Sequence, residues 1–319
     1  MKLTDAYVAD PFVLPHDGGY YLFGTTGSTS PDRQFAVLHS PDLLTWTSLP
    51  GALHRPDPAL GDEFWAPEVV RANGRWWMYY SVGHGDTGHH IRVALADHPA
   101  GPYDDLGIVL TPDERFAIDP HPFQDTDGTW YLYFARDVLD HERAGTHLAV
   151  APLHEMTRLD GPTTTVLAPS ADWQVYARDR HMYGNVYDWH TLEGPAVLKR
   201  HGRYWLTFSG GAWTGPDYQV SWAVADDPLG PWQTDSAAGH QLLATDVPSG
   251  LIGPGHNSLC TDLEGRDVIV FHSWDSAHTR RQPHAISIDF TNQGPQLRPD
   301  SRASTTEPRQ HTLSKGAGR

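Results

Sequence analysis

The feature that most constrains this chain is a short block that returns five times along its 319 residues. Each copy opens with a glycine turn and continues through aromatic and aliphatic residues: GGYYLFGT from Gly18, GRWWMYYS from Gly74, GTWYLYFA from Gly128, GRYWLTFS from Gly202 and GRDVIVFH from Gly265. The fifth position is always aliphatic (Leu22, Met78, Leu132, Leu206, Ile269), and successive copies start 56, 54, 74 and 63 residues apart. Runs this short, rich in β-formers and opened by glycine, predict strands rather than helices. A second apolar run follows, at 35–39, 91–95, 147–151, 220–224 and 285–289. Two of these lead into the same octet, ADHPAGPY at 96–103 and ADDPLGPW at 225–232, whose proline and glycine end a strand and turn the chain. The repeating unit is thus a small antiparallel sheet, and no stretch reads as an amphipathic helix. Sheets repeated radially make a propeller. The expectation is an all-β, five-bladed β-propeller as a single domain over residues 1–299, with a polar, flexible tail over 300–319; a β-sandwich is the competing architecture.

Composition narrows the partners. Lys and Arg number 23 against 39 Asp and Glu, a formal charge of −16 that argues against nucleic acid and anionic membrane. The single cysteine, Cys260, excludes an internal disulfide and a cysteine metal cluster. No apolar run resembles a membrane span or a signal peptide, which predicts a cytoplasmic protein, or a secreted one whose leader has been removed.

Just upstream of each glycine lies an ionisable residue. Asp10 stands eight before Gly18, Glu68 six before Gly74, Asp119 nine before Gly128, Glu193 nine before Gly202 and His256 nine before Gly265. In a propeller the first strand of each blade lines the central channel, so these positions converge near the axis. Clustered carboxylates repel and raise one another's pKa, and such costs concentrate at functional sites. A turn-capping role remains the bland alternative, and it suits Glu68 best, since Glu68 departs in spacing. Two Asp and one Glu meet the needs of glycoside hydrolysis, which takes one protonated carboxyl for the leaving oxygen and one ionised carboxylate for water. Trp65, Trp130, Tyr187, Trp189 and Trp213 crowd the same stretches; Trp65 and Trp189, beside the axial motifs, are the candidates to stack on a sugar.

With these motifs in order, one per blade (VADP at 8–11, FWAPE at 64–68, AIDP at 117–120, LEGP at 192–195 and GPGHN at 253–257), the chain resembles glycoside hydrolase family 43, the arabinanase, arabinofuranosidase and xylosidase clan of five-bladed propellers. The resemblance covers about residues 5–290. Through its relatives' habits it implies an inverting, exo-acting enzyme, with Asp10 as general base, Asp119 as pKa modulator, Glu193 as general acid, and His256 facing an axial cation, calcium held mostly through water. It implies an oligosaccharide or polysaccharide substrate, with α-L-arabinofuranosyl linkages ahead of β-xylosides, and a non-catalytic sugar-binding propeller as the alternative of another class. The family also supplies a substrate-binding arginine from the last blade, here either Arg280 or Arg281. Glu68 stands where many relatives have Asp, and is read as a substrate contact. The long interval before Glu193 holds an insertion at about 170–191, expected to wall off subsites. The histidines of the turn GHGDTGHH, His84, His89 and His90, read as a solvated loop rather than a metal site.

Overall fold

A computed structural model describes residues 1–27, 30–234 and 241–298. The tail expected at 300–319 lies outside the described residues. Every glycine-led block becomes the second strand of a hairpin. Gly18, Gly74, Gly128, Gly202 and Gly265 turn at φ between +74° and +91°, which glycine reaches without a Cβ penalty. The aliphatic fifth positions are all 0% exposed, so they are the centres around which the hairpins pack.

The first sheet runs β1 (Ala9–His16), β2 (Gly19–Thr25), β4 (Val37–Ser40), β5 (Thr47–Leu49), with β3 (Arg33–Gln34) paired to β6 (Leu53–His54) beside it. The second runs β7 (Glu63–Ala72), β8 (Arg75–His84), β9 (Thr87–Ala96), β10 (Asp104–Val109). Next come β11 (Ala117–Gln124), β12 (Trp130–Val138) and β13 (Gly145–His154), with β14 (Arg158–Leu159) and β15 (Thr164–Leu167) paired to β13. β16 (Val175–Met182) forms a hairpin with β17 (Asn185–Arg200), which continues to β18 (Arg203–Gly210) and β19 (Gln219–Ala225). The last sheet is β20 (Gly255–Thr261), β21 (Asp267–Trp274), β22 (Arg281–Thr291), β23 (Gly294–Arg298). Helix among the described residues is confined to single 3-10 turns at 58–60, 172–174 and 247–249.

The fold is all-β, as expected, but the third and fourth groups are not separate sheets. β13 and β17 meet in parallel at Gly145–His190 and Thr146–Thr191, joining nine strands into one sheet. Gly145 makes this approach feasible: a Cβ there would lie 1.8 Å from the His190 carbonyl oxygen. The innermost strands touch in a ring, β1 against β7, β7 against β11, β11 against β17, β17 against β20, and β20 against β1. Apolar clusters fill the spaces between neighbouring groups. Phe12 and Phe23 pack with Val69, Met78 and Tyr80, and Val13 and Leu22 pack with Val268 and Val270. The N-terminal segment closes the ring beside β22: Leu3 N–H donates to Pro283 O at 2.8 Å and Val8 N–H to Arg281 O at 3.0 Å.

Candidate active site

All five inner strands break register against the strand that follows, between Ala9 and Phe12, Trp65 and Glu68, Ile118 and His121, Glu193 and Ala196, and Gly255 and Ser258. Inside each break one residue takes positive φ: Asp10 (50°), Ala66 (48°), Asp119 (58°), Gly194 (57°) and His256 (45°). Pro11, Pro67, Pro120 and Pro195 follow four of them, and a proline has no N–H for the ladder to lose. Such bulges re-aim side chains next to active sites, and a non-glycine residue held there stores about 1–3 kcal/mol of strain.

The bulges correct the placement of Glu68. The second sheet puts Ala66 at the bulge, and Glu68 lies two residues further on, opposite Tyr79 as His121 is opposite Tyr133. Glu68 Oε2 and His121 Nδ1 are 2.8 Å apart, and both line a cavity with Phe12, Val69 and Leu259 rather than the cleft that holds the acids. Two residues of spacing therefore separate a place at the bulge from an internal pair with His121.

In three of the repeats the eighth position supplies the cap of a bulge. Thr25 Oγ1 accepts from Ala66 N–H (2.8 Å), Ser209 Oγ from His256 N–H (2.7 Å) and His272 Nδ1 from Asp10 N–H (3.1 Å). In the third repeat that position is Ala135, which has no acceptor. There Gly194 N–H donates instead to Asp119 Oδ2 at 2.9 Å, so the missing hydroxyl ties the middle carboxylate to the strand of Glu193.

Asp10, Asp119, Glu193 and His256 line one cleft of about 560 Å³ with Tyr7, Phe64, Trp65, Trp213 and Arg281. Their environments push the acids apart. Burial alone would raise Asp10, but the charges of His256 and Arg281 outweigh it and hold the carboxyl down to about 2. Arg281 Nη1 and His256 Nδ1 each stand 3.4 Å from Asp10 Oδ1. Asp119 is raised, first by burial and then by the Asp10 charge, against the pull of His256 and the Gly194 N–H. Glu193 is raised by burial and then by Asp119. Burial would lower His256, but Asp10, Asp119 and Glu193 prevail and raise it, which favours the imidazolium. A carboxylate kept ionised beside a carboxyl kept protonated is the division of labour that acid–base hydrolysis of an acetal needs.

A family model, glycosyl hydrolases family 43, matches residues 4–295. The chain belongs to this family. It is a glycoside hydrolase. It is 31% identical over 300 residues to beta-D-galactofuranosidase xynD of Aspergillus niger, covering 89% of this chain and 78% of the relative. It is 26% identical to the extracellular exo-alpha-(1->5)-L-arabinofuranosidase of Streptomyces avermitilis, covering 83% of this chain and 54%, about half, of that relative. A solved thermostable family-43 glycoside hydrolase superposes with a TM-score of 0.80 at 29% identity, covering 94% of this chain and 95% of the other.

The remaining expected residues of this family 43 hydrolase divide between the cleft and elsewhere. Arg281, 8% exposed, reaches Asp10, whereas the neighbouring Arg280 is exposed and does not line the cleft. Trp65 lines it. Trp189 does not: it is 1% exposed and packed against Tyr183, Tyr187 and Arg180, so its ring offers no face to a substrate. The insertion is the β16–β17 hairpin, and none of residues 170–191 lines the cleft. It braces the wall from behind: Arg180 pairs with Asp86 at 2.6 Å, Tyr183 donates to Asp137, and Tyr176 takes a hydrogen bond from Trp213 within range of the Glu193 charge. His89 corrects the solvated-loop expectation. It is 0% exposed and stacks behind Trp65 at 3.7 Å and 18°, while His84 is exposed and His90 half-buried.

Calcium takes about six to eight oxygen ligands. His256 brings one imidazole, with Nδ1 turned to Asp10 and to Asp119 at 3.9 Å, and no group of three or more His, Cys, Asp and Glu side chains among the described residues is arranged to hold a metal ion. These side chains do not by themselves make up a calcium set; the expected ion would take most of its ligands from water. Sequence reasoning missed Tyr218, His272, Tyr7 and Thr25. The polar eighth positions of the repeats pointed to Thr25 and His272, and Gly255 at the head of β20, where glycine marks a close approach, pointed to the surroundings of Tyr218; no sequence signal singles out Tyr7.

No helix among the described residues is long and apolar enough to cross a membrane.

Proposed function

We propose that this hydrolase releases α-L-arabinofuranosyl units from the ends of arabinan or arabino-oligosaccharide chains, with inversion at the anomeric carbon. One observation carries the chemistry: Asp10 and Glu193 line the same cleft and are pushed in opposite directions. Ionised Asp10 takes a proton from water as it attacks the anomeric carbon, and protonated Glu193 gives its proton to the departing oxygen. Asp119 keeps Glu193 protonated until then, and Arg281 keeps Asp10 charged. Trp65, stiffened by His89 behind it, offers a flat face to a sugar ring. The separation of the two carboxyls should be about 6.5–9.5 Å, room for a water between acid and base. The ring of five inner strands supports reading the fold as a five-bladed propeller, with these groups at one mouth of its axis. The choice of sugar follows the exo-arabinofuranosidase relative, and that relative's extracellular name supports secretion over a cytoplasmic location.

A second reading comes from the galactofuranosidase relative. A β-D-galactofuranosyl ring has the stereochemistry of an α-L-arabinofuranosyl ring and a longer exocyclic arm, so one cleft can be tested for both. Turnover of nitrophenyl α-L-arabinofuranoside, β-D-galactofuranoside and β-D-xylopyranoside, with the product anomer followed by NMR, decides among these enzymes; turnover of none points to a sugar-binding propeller. Glu193→Ala should nearly abolish cleavage of arabino-oligosaccharides but spare more activity on an aryl glycoside, whose leaving group needs no acid. Asp10→Ala should impair both. Equal losses on both substrates for Glu193→Ala, with sparing of the aryl glycoside by Asp10→Ala, would reverse the two roles.

A further inference from the structure

Tyr218 precedes β19, is 0% exposed, and places its hydroxyl on Glu193 Oε1 as donor. Two neighbours hold its ring. It lies nearly parallel to His272, 5.8 Å between centroids and 14° between planes. It also lies against the backbone of Gly255, where a Cβ would stand 1.9 Å from Tyr218 Cε1 and 2.3 Å from Cδ1. The glycine before His256 is therefore the space that the tyrosine ring occupies, and any side chain there would push the phenol off the acid.

Resting on the reading of Glu193 as proton donor, we propose that Tyr218 is a positioning residue that occupies Oε1 of Glu193 and so leaves the catalytic proton on Oε2, the oxygen free to face the leaving group. The groups facing Glu193 are Asp119 from β11, His256 from β20, Asp10 from β1 and Tyr176 from β16. Among them Asp119 holds the proton on, while the Tyr218 hydroxyl steadies the carboxylate after the proton has left. Burial, then the Glu193, Asp10 and Asp119 charges, raise the phenol well above its ordinary range, so it stays a donor throughout the working pH. The two opposing contacts set how readily the acid gives up its proton and in which direction.

Tyr218→Phe removes the donor and keeps the ring. The alkaline limb of the kcat/KM profile should move up by about one pH unit, since a lost hydrogen bond to a charged group makes ionisation harder. The loss in kcat should be about ten-fold on arabino-oligosaccharides and smaller on an aryl glycoside with an acidic phenol, because only the former needs the proton. Replacing Tyr218 by a fluorotyrosine, nearly isosteric and a stronger donor, should move the same limb down. Gly255→Ala should reproduce the Phe signature and add little to it in the double variant. A merely structural tyrosine would cut both substrates equally and leave the limb where it is; that result, or a fluorotyrosine limb that moves up with the Phe one, overturns the proposal. Glu193→Ala on the same two substrates separates the failures. Full activity there removes the acid assignment itself, whereas leaving-group-dependent loss there beside an unmoved limb in Tyr218→Phe removes only the role of Tyr218.

Discussion

At Arg281 one guanidinium meets three kinds of partner: the Asp10 carboxylate at 3.4 Å, the Tyr7 hydroxyl at 3.0 Å and the face of Trp213 at 4.4 Å. Arg280, the residue before it, has none of these, because it lies in the exposed turn ahead of β22 rather than in the strand. Arg281→Ala leaves Asp10 buried with less compensating charge, so its pKa rises. The base must be ionised to work, and the acid limb of the pH–rate profile should therefore move to higher pH. kcat/KM should fall about 10- to 100-fold, the scale of a lost charge-assisted hydrogen bond. Arg281→Lys keeps the charge without the fork, and should restore the limb more fully than the rate. The depressed Asp10 also stabilises the fold above its unfolded pKa, and that contribution is lost as pH falls through 4 towards 2. Asp119→Asn has the opposite reach: it removes a negative neighbour from Glu193, lowers the pKa of the acid, and should shift the alkaline limb down. pH profiles of the three variants check all of this, and an unmoved acid limb in Arg281→Ala would remove the arginine from the control of Asp10.

Among the elements, the inner strands were legible from sequence because one chemical pattern recurs: glycine at the hairpin turn, an apolar fifth position, and an X-Pro pair at four of the five bulges. Asp10, Asp119, Glu193 and His256 follow from that pattern alone. Glu68 did not, because FWAPE contains both the bulge residue, Ala66, eight before its glycine as Asp10 is, and an acid two places on; choosing by residue type selects the acid, while spacing and backbone φ select the alanine. Trp189 misled for a related reason. It precedes an axial motif in sequence, yet in the strand it turns into the packing of the β16–β17 hairpin. His272 stands at a repeat position and Tyr218 lies against Gly255, but which carboxylate each of them reaches depends on how the sheets are arranged around the ring, which no local pattern encodes. The hairpin itself invites a test. Arg180 lies over Tyr176 (4.8 Å) and Trp189 (5.1 Å) while pairing with Asp86, so it fastens the hairpin to the β8–β9 turn. Arg180→Ala should loosen Tyr176 behind Trp213, which lines the cleft. KM for arabino-oligosaccharides should rise about fivefold, equivalent to about 1 kcal/mol, with little change in kcat for an aryl glycoside. An equal effect on both substrates would mean that the hairpin serves stability alone.

At the scale of the whole molecule, the site exists only while the ring is closed. Asp10 comes from the first sheet and Arg281 from the last, and the segment before β1 joins them through Leu3 to Pro283, Val8 to Arg281 and Ala285 to Met1. Leu3 is 4% exposed and Val8 1%, packed in one cluster with Val13 and Leu22 on one side and Val268, Val270 and Ala285 on the other. Leu3→Ala opens a cavity at that seam and should cost about 2–4 kcal/mol, against about 0.5 kcal/mol or less for Leu44→Ala, which is 58% exposed. The lost stability should lower Tm by about 5–10 °C. Because each inner strand packs on two neighbours, the seam cannot open while the rest of the ring stays as it is. The Asp10–Arg281 contact should then fail together with the sheets, and loss of activity on heating should coincide with the circular-dichroism transition in both the parent and the Leu3→Ala protein. Activity lost well below the structural transition in Leu3→Ala would show that the seam opens by itself, and a Tm unchanged by Leu3→Ala would show that the closure of this ring does not depend on its N-terminal segment.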